Sequence, residues 1–226
     1  MINRIYKYIN RKTRPVKAFY LKIWSFLNGA KNYEDLPYLD YIDESNNSKV
    51  LKEKGSYSKH LYAVVRHLKP NITVELGVKA GITMKHILEA VKKNEKKTRV
   101  IGIDLPFDNP NVGDPYKSTL DDDFYKKNSE IWRMNTQSSI TVNHFLNETN
   151  NKEIDILFID ADHSYKGAQI DYNLWSKYVR DGGFIFFDDV QQYSPRKVWK
   201  KAKGREKFLI KCNRSKDIQL LGVIIK

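Results

Sequence analysis

The sequence predicts an α/β protein with a doubly wound, mostly parallel, seven-stranded sheet and a helical N-terminal extension. Three observations carry that prediction. Two apolar runs, residues 154–159 and 184–187, have strand length and composition and contain no turn residue. Between them, residues 165–180 place Ala168, Ile170, Tyr172, Leu174, Trp175, Tyr178 and Val179 at helical spacing. Asp181-Gly182-Gly183 then reads as the end of that helix, because glycine tolerates the left-handed conformation of a C-terminal cap. Strand, helix, strand in this order is a parallel crossover, so both strands point the same way. Each run also ends in closely spaced acids, Asp160/Asp162 and Asp188/Asp189. Parallel strands bring those four carboxylates to one crevice, the place where open α/β sheets bind ligands. Four anions in so small a volume call for a cation, and oxygen donors point to a hard metal.

Composition bounds the rest. The 226 residues suffice for one α/β domain and an extension. A single cysteine, Cys212, allows no internal disulfide and points to a reducing compartment. No apolar run approaches the roughly 18 residues of a spanning helix. The N-terminus lacks a continuous apolar signal core, so a cytoplasmic location is expected. The net charge of +13 is concentrated at the ends. Residues 1–33 hold eight Lys/Arg and no acid, and residues 196–226 hold eleven against Glu206 and Asp217. Such ends suit phosphate, anionic lipid or an acidic glycan, or are simply a well-solvated surface.

Along the chain, residues 1–55 read as a basic, aromatic extension and 56–226 as the folded domain. Within the extension Pro15 opens a helix that puts Val16, Phe19, Tyr20, Ile23, Trp24 and Leu27 on one face. That face is expected to pack on its own domain or on a second subunit, with peripheral contact at an anionic inner-membrane surface as the alternative. Residues 31–55 read as a polar connection and 57–68 as a helix leading into the sheet. Residues 72–78 form the first strand, and Glu75-x-Gly77-x-x-x-Gly81 a turn whose glycines let backbone approach a ligand. It is not the dinucleotide fingerprint, which argues against NAD or FAD. The second strand, 99–105, carries Asp104 at its end, where an acid can take both hydroxyls of a ribose. Residues 106–123 read as a long polar loop, 131–134 as the third strand with 135–138 at its tip, and 140–146 as a short helix. A basic helix at 195–203 and closing strands at 208–212 and 218–225 complete the pattern.

VELGVKAG, GIDL, FIDADHSY and GGFIFFDDV in this order resemble the Rossmann-like methyltransferases that use S-adenosylmethionine (SAM), in particular metal-dependent sugar and macrolide O-methyltransferases. The resemblance implies residue roles. Glu75, Gly77 and Gly81 hold the methionine part of SAM, Asp104 its ribose, and Thr136, Gln137 and Ser138 flank the adenine. Asp160, which also borders the cofactor, joins Asp188 and Asp189 as ligands of Mg²⁺. Asp162 or His163 is the general base. Lys79 departs from the family's fuller glycine turn, occupying its middle glycine position. The implied acceptor is a small molecule or glycan, a saccharide or related polyhydroxylated metabolite, acidic or phosphorylated in keeping with the basic ends.

Two rivals are set by chemistry. An iron-dependent hydroxylase on the same scaffold fits less well, because ferrous sites favour two histidines. A nucleic-acid-binding or RNA-modifying protein would suit the charge, but an acidic crevice repels phosphate.

Overall fold

The computed structural model describes residues 30–31, 39–48, 50–51, 57–106, 114–214 and 217–226. The strands are β1 (Ala30–Lys31), β2 (Ile72–Leu76), β3 (Arg99–Asp104), β4 (Ser129–Arg133), β5 (Ile154–Ile159), β6 (Val179–Phe187), β7 (Glu206–Arg214) and β8 (Asp217–Ile225). All seven predicted strands form, and the two-residue β1, paired with β7, adds an eighth. The order across the sheet is β1-β7-β8-β6-β5-β2-β3-β4. β8 runs antiparallel to β6 and β7, and the other pairs are parallel.

Helices cover both faces. α1 (Leu39–Asn46), α2 (Ser58–Leu68), α3 (Ile82–Asn94), α4 (Tyr116–Thr119) and α5 (Asp123–Asn128) precede β4, and α6 (Ser139–Thr149), α7 (Tyr165–Trp175) and α8 (Tyr193–Lys201) follow it. Strand β5 shows why the sheet must be covered twice, since all six of its residues are buried. Ile156 and Phe158 join one core with Leu61, Val64, Met84 and Leu88 of α2 and α3. Leu157 and Ile159 join the other with Phe145, Trp175 and Val198 of α6, α7 and α8. The period-two alternation of a strand thus feeds two separate cores.

Three expectations change, and a fourth falls outside the described residues. The helix after β5 ends at Trp175 and passes through a 3₁₀ turn, Ser176–Tyr178, so Asp181-Gly182-Gly183 lies inside β6 and caps nothing. Val179 pairs with Ile154, the ladder shifts register, and Gly182 takes up the irregularity at φ 71°. The segment read as a polar connection contains α1. Glu44 on it accepts from Tyr62 Oη at 2.6 Å and meets Arg66 and Lys93, so these polar contacts add to the core packing of Ile42 and Tyr41 in holding the helix. The polar loop at 106–123 includes α4, and 107–113 lie outside the described residues. The amphipathic helix predicted within residues 1–30 also lies outside them.

The two ends of the sheet are built differently. At the N-terminal ends of the parallel strands, Asp155 accepts from the amides of Asn71 and Ile72 at 2.8 and 2.9 Å and from Arg180 Nε at 2.7 Å. One carboxylate thereby ties β2, β5 and β6. At the C-terminal ends the ladder continues one residue past each strand. Gly77 N donates to Ile103 O at 2.8 Å, Asp160 N to Leu76 O at 2.9 Å and Asp188 N to Ile159 O at 3.1 Å. Those bonds fix the residues that open onto the cavity.

Candidate active site

A cavity of about 1460 Å³ lies over the C-terminal ends of β2, β3, β4, β5 and β6. It is lined by six acids, Glu75, Asp104, Asp160, Asp162, Asp188 and Asp189, and by Gly77, Thr136, Gln137 and His163. Ten of the twelve residues singled out in the sequence therefore meet in one place. Gly81 and Ser138 do not line it. Gly81 sits at the N-cap of α3 with φ 71°, and Ser138 caps α6 by accepting from Ile140 N at 3.2 Å.

One side is built from turns. Gly77 has φ 89°, and a Cβ there would overlap the Asp160 carbonyl, so the turn after β2 passes against β5 only because this residue has no side chain. Asp104 Oδ2 accepts from Val78 N at 3.1 Å and Lys79 N at 2.7 Å, and Oδ1 from Leu105 N at 2.8 Å. The second strand's acid thus holds the glycine turn while facing the cavity. Glu75 is 1 % exposed and its Oε2 has no hydrogen-bond partner. Burial, with Asp160 and Asp104 nearby, pushes its carboxyl well above the usual range. A cation arriving beside it would draw the carboxyl back toward its anion. Trp175 Nε1 donates to Thr136 O at 2.8 Å, which fixes the β4 tip from the buried face of α7.

The other side is a cluster of carboxylates. His163 Nε2 lies 3.0 Å from Asp160 Oδ1 and its Nδ1 3.3 Å from Asp189 Oδ2. Hydrogen bonds to these two acids push His163 up to about 10, so the ring is an imidazolium that supplies the cluster's cation. As a base it acts only when another cation engages the carboxylates. Burial, then the charges of Asp160 and Asp189, push Asp188 up. Asp162 is the reverse case. The Ser164 amide donates to it at 2.8 Å and holds it below the usual carboxylate range. Gln137 Nε2 adds a contact at 3.3 Å, and Gly167 leaves the space that the Asp162 carboxylate occupies.

The donor set fits a divalent cation. Asp160, His163 and Asp188 each offer one ligand atom, all within 4.8 Å of one another. The predicted third carboxylate, Asp189, is instead held by His163, Gln191 and Gln192, with the backbone in the left-handed region at φ 53°.

Among the cavity-wall residues that sequence reasoning did not single out, Gln219 and Tyr57 touch the acid cluster's surroundings most directly. Gln219 on β8 donates from Nε2 to Asp188 Oδ1 at 3.1 Å and to Asp189 Oδ1 at 3.5 Å. It is 6 % exposed, and its Oε1 has no partner. Only the antiparallel insertion of β8 beside β6 brings it there. Tyr57 precedes α2 and packs on Phe158 with ring centroids 6.0 Å apart. Burial and the charges of Asp160 and Asp188 push its phenol up, so it stays a neutral donor.

The profile of the family described as "Methyltransferase domain" matches residues 74–190, just over half of the chain. Two solved structures share the fold. An O-methyltransferase from Bacillus cereus in complex with S-adenosylhomocysteine (SAH) is 16% identical, with a TM-score of 0.57, covering 86% of this chain and 90% of that one. The apo TDP-rhamnose 3′-O-methyltransferase of calicheamicin biosynthesis is 16% identical, with a TM-score of 0.55, covering 73% and 76%. An uncharacterised protein of Acanthamoeba polyphaga mimivirus is 60% identical over 40 residues, which span 18% of each chain. The match runs from the second residue before the Leu76 strand end to the residue after Asp189, and so contains every acid of the cavity; the chain belongs to this methyltransferase family.

Proposed function

We propose that the protein is a SAM-dependent O-methyltransferase acting on a saccharide or a related polyhydroxylated metabolite, with Mg²⁺ assisting. The observation that carries this reading is the division of one cavity into a glycine turn with an acid-ended second strand and, opposite, a carboxylate cluster. The solved relatives include one that holds SAH and one named for methylating a sugar hydroxyl.

On this reading Glu75, Gly77 and Gly81 shape the methionine end, Asp104 receives the ribose, and Thr136, Gln137 and Ser138 border the adenine. Asp160 lies between cofactor and metal. Asp160, His163 and Asp188 would hold the cation, with Asp189 adjoining them, and its chemistry would be to lower the pKa of a coordinated hydroxyl. The chain's own task is alignment, since methyl transfer is an in-line displacement. The acceptor oxygen forms a bond to the methyl carbon as the carbon–sulfur bond breaks, the sulfonium becomes the neutral thioether of SAH, and the acceptor proton passes to a base. Asp162 is anionic at neutral pH and is assigned that role, with His163 the alternative when its ring is neutral. Two carboxylates and one imidazole suit Mg²⁺ or Mn²⁺ better than ferrous iron, which disfavours the hydroxylase. Among the described residues no helix is long and apolar enough to cross a membrane. A cytoplasmic enzyme with peripheral contact through residues 1–30 remains part of the proposal.

Calorimetric titration of SAH, first with Mg²⁺ and then with EDTA, tests the reading. Micromolar binding in both buffers, abolished in Asp104→Ala, is expected. Absence of binding in either buffer would sink it.

A further inference from the structure

We infer that Lys79 is a cofactor-binding residue that pairs with the α-carboxylate at the amino-acid end of SAM. The inference rests on the SAM reading above and adds a residue the glycine-turn pattern does not contain. Lys79 lines the cavity in the turn between Gly77 and Gly81. Its backbone has φ 48°, a left-handed conformation that glycine adopts freely and an L side chain adopts only at a cost. Asp104 holds it there through the Lys79 amide at 2.7 Å. Other non-glycine residues take this conformation at helix ends, but Lys79 alone of the described lysines does so on the cavity wall, where its side chain can be used.

The charges around the cavity say what that use is. Six carboxylates face three cations, Lys79, Arg133 and His163. Arg133 Nη2 is paired with Asp114 Oδ1 at 3.1 Å, and His163 lies between Asp160 and Asp189. Among the described residues, Lys79 has no carboxylate within the 4.0 Å of an ion pair. The amino-acid end of SAM carries an ammonium and a carboxylate. The buried, unpartnered Glu75 oxygen suits the ammonium. The carboxylate enters a cavity dominated by acids, and Lys79, exposed on the cavity wall four residues from Glu75 across the Gly77 turn, is the lining cation without a carboxylate partner among the described residues.

The test compares SAH with 5′-methylthioadenosine, which keeps the nucleoside and thioether and lacks the amino-acid end. Calorimetry on the full chain is run with wild type, Lys79→Gly and Lys79→Arg. We expect Lys79→Gly to weaken SAH about tenfold and leave methylthioadenosine within about twofold, as loss of one ion pair implies. Lys79→Arg restores SAH affinity. The thermal midpoint of Lys79→Gly stays level or rises, because glycine relieves the left-handed backbone. Unchanged SAH affinity in Lys79→Gly would overturn the inference and leave the SAM reading standing. An equal fall for both ligands would overturn it too, by showing that turn shape and not charge was lost. If wild type binds neither ligand, the SAM reading and this inference fall together.

Discussion

The two ends of strand β5 carry the same residue type put to opposite uses. Asp155, at its start, is 5 % exposed and saturated by two backbone amides and the Arg180 guanidinium. Asp160, just past its end, lies in a cluster with Asp188 and Asp189, and the cation beside it is His163. A carboxylate whose lone pairs are filled by fixed donors belongs to the fold. One that is buried among other carboxylates is held at a cost that the fold alone does not require. Partner saturation, more than burial, is what differs between these two acids, while Asp104, which accepts from three backbone amides and still faces the cavity, combines both situations.

The largest expected effect breaks the structural end. Asp155→Ala leaves two amides and a guanidinium without their acceptor and is expected to lower stability by about 3–5 kcal/mol, read by urea denaturation. SAH affinity of the protein that remains folded should not change. A milder loss of stability would mean that Arg180 and the two amides find other partners and that the contrast is overstated. Next in size is Asp188→Asn at the functional end. Mn²⁺ affinity, followed by calorimetry, is expected to fall more than about a hundredfold, because a ligand carboxylate is lost outright. Folding stability in EDTA should hold, since the change removes one of several mutually repelling acids. Unaltered Mn²⁺ binding in that variant would take Asp188 out of the cation site.

Legibility in the sequence followed how local each cause was. The acids at 160, 162, 188 and 189 could be placed together because a strand–helix–strand unit sends both tips the same way. Asp104 and the glycine turn were legible for the same reason. Gln219 was not, because nothing near it in the chain says that β8 is inserted between β6 and β7. Tyr57 was hidden similarly, as a turn residue ahead of a helix. Gly182 misled, since a Gly-Gly pair after helical spacing reads as a cap, whereas Val179 had already entered the sheet against Ile154. Helix α1 was missed because only Ile42 and Tyr41 pack on the core, too short an apolar pattern to read, and the rest of its anchoring comes from the polar contacts of Glu44.

The smallest expected effect sharpens the contrast with an acid of neither kind. Asp171, on α7, is fully buried outside the carboxylate cluster with neither oxygen hydrogen-bonded, and burial pushes it from 3.8 up to about 6. A carboxyl raised in the folded state contributes stability that is complete below its unfolded value. That contribution is lost as pH climbs from about 4 through about 6, because the unfolded chain gives up its proton first. Asp171→Asn does not titrate, so it should nearly match wild type at pH 4 and exceed it by about 2–3 kcal/mol at pH 7.5. Urea midpoints at those two pH values decide the matter. A variant less stable than wild type at pH 7.5 would show that the Asp171 anion is held by the Thr136 side of the cavity floor, as Asp155 is held at the other end, and would move it into the structural class.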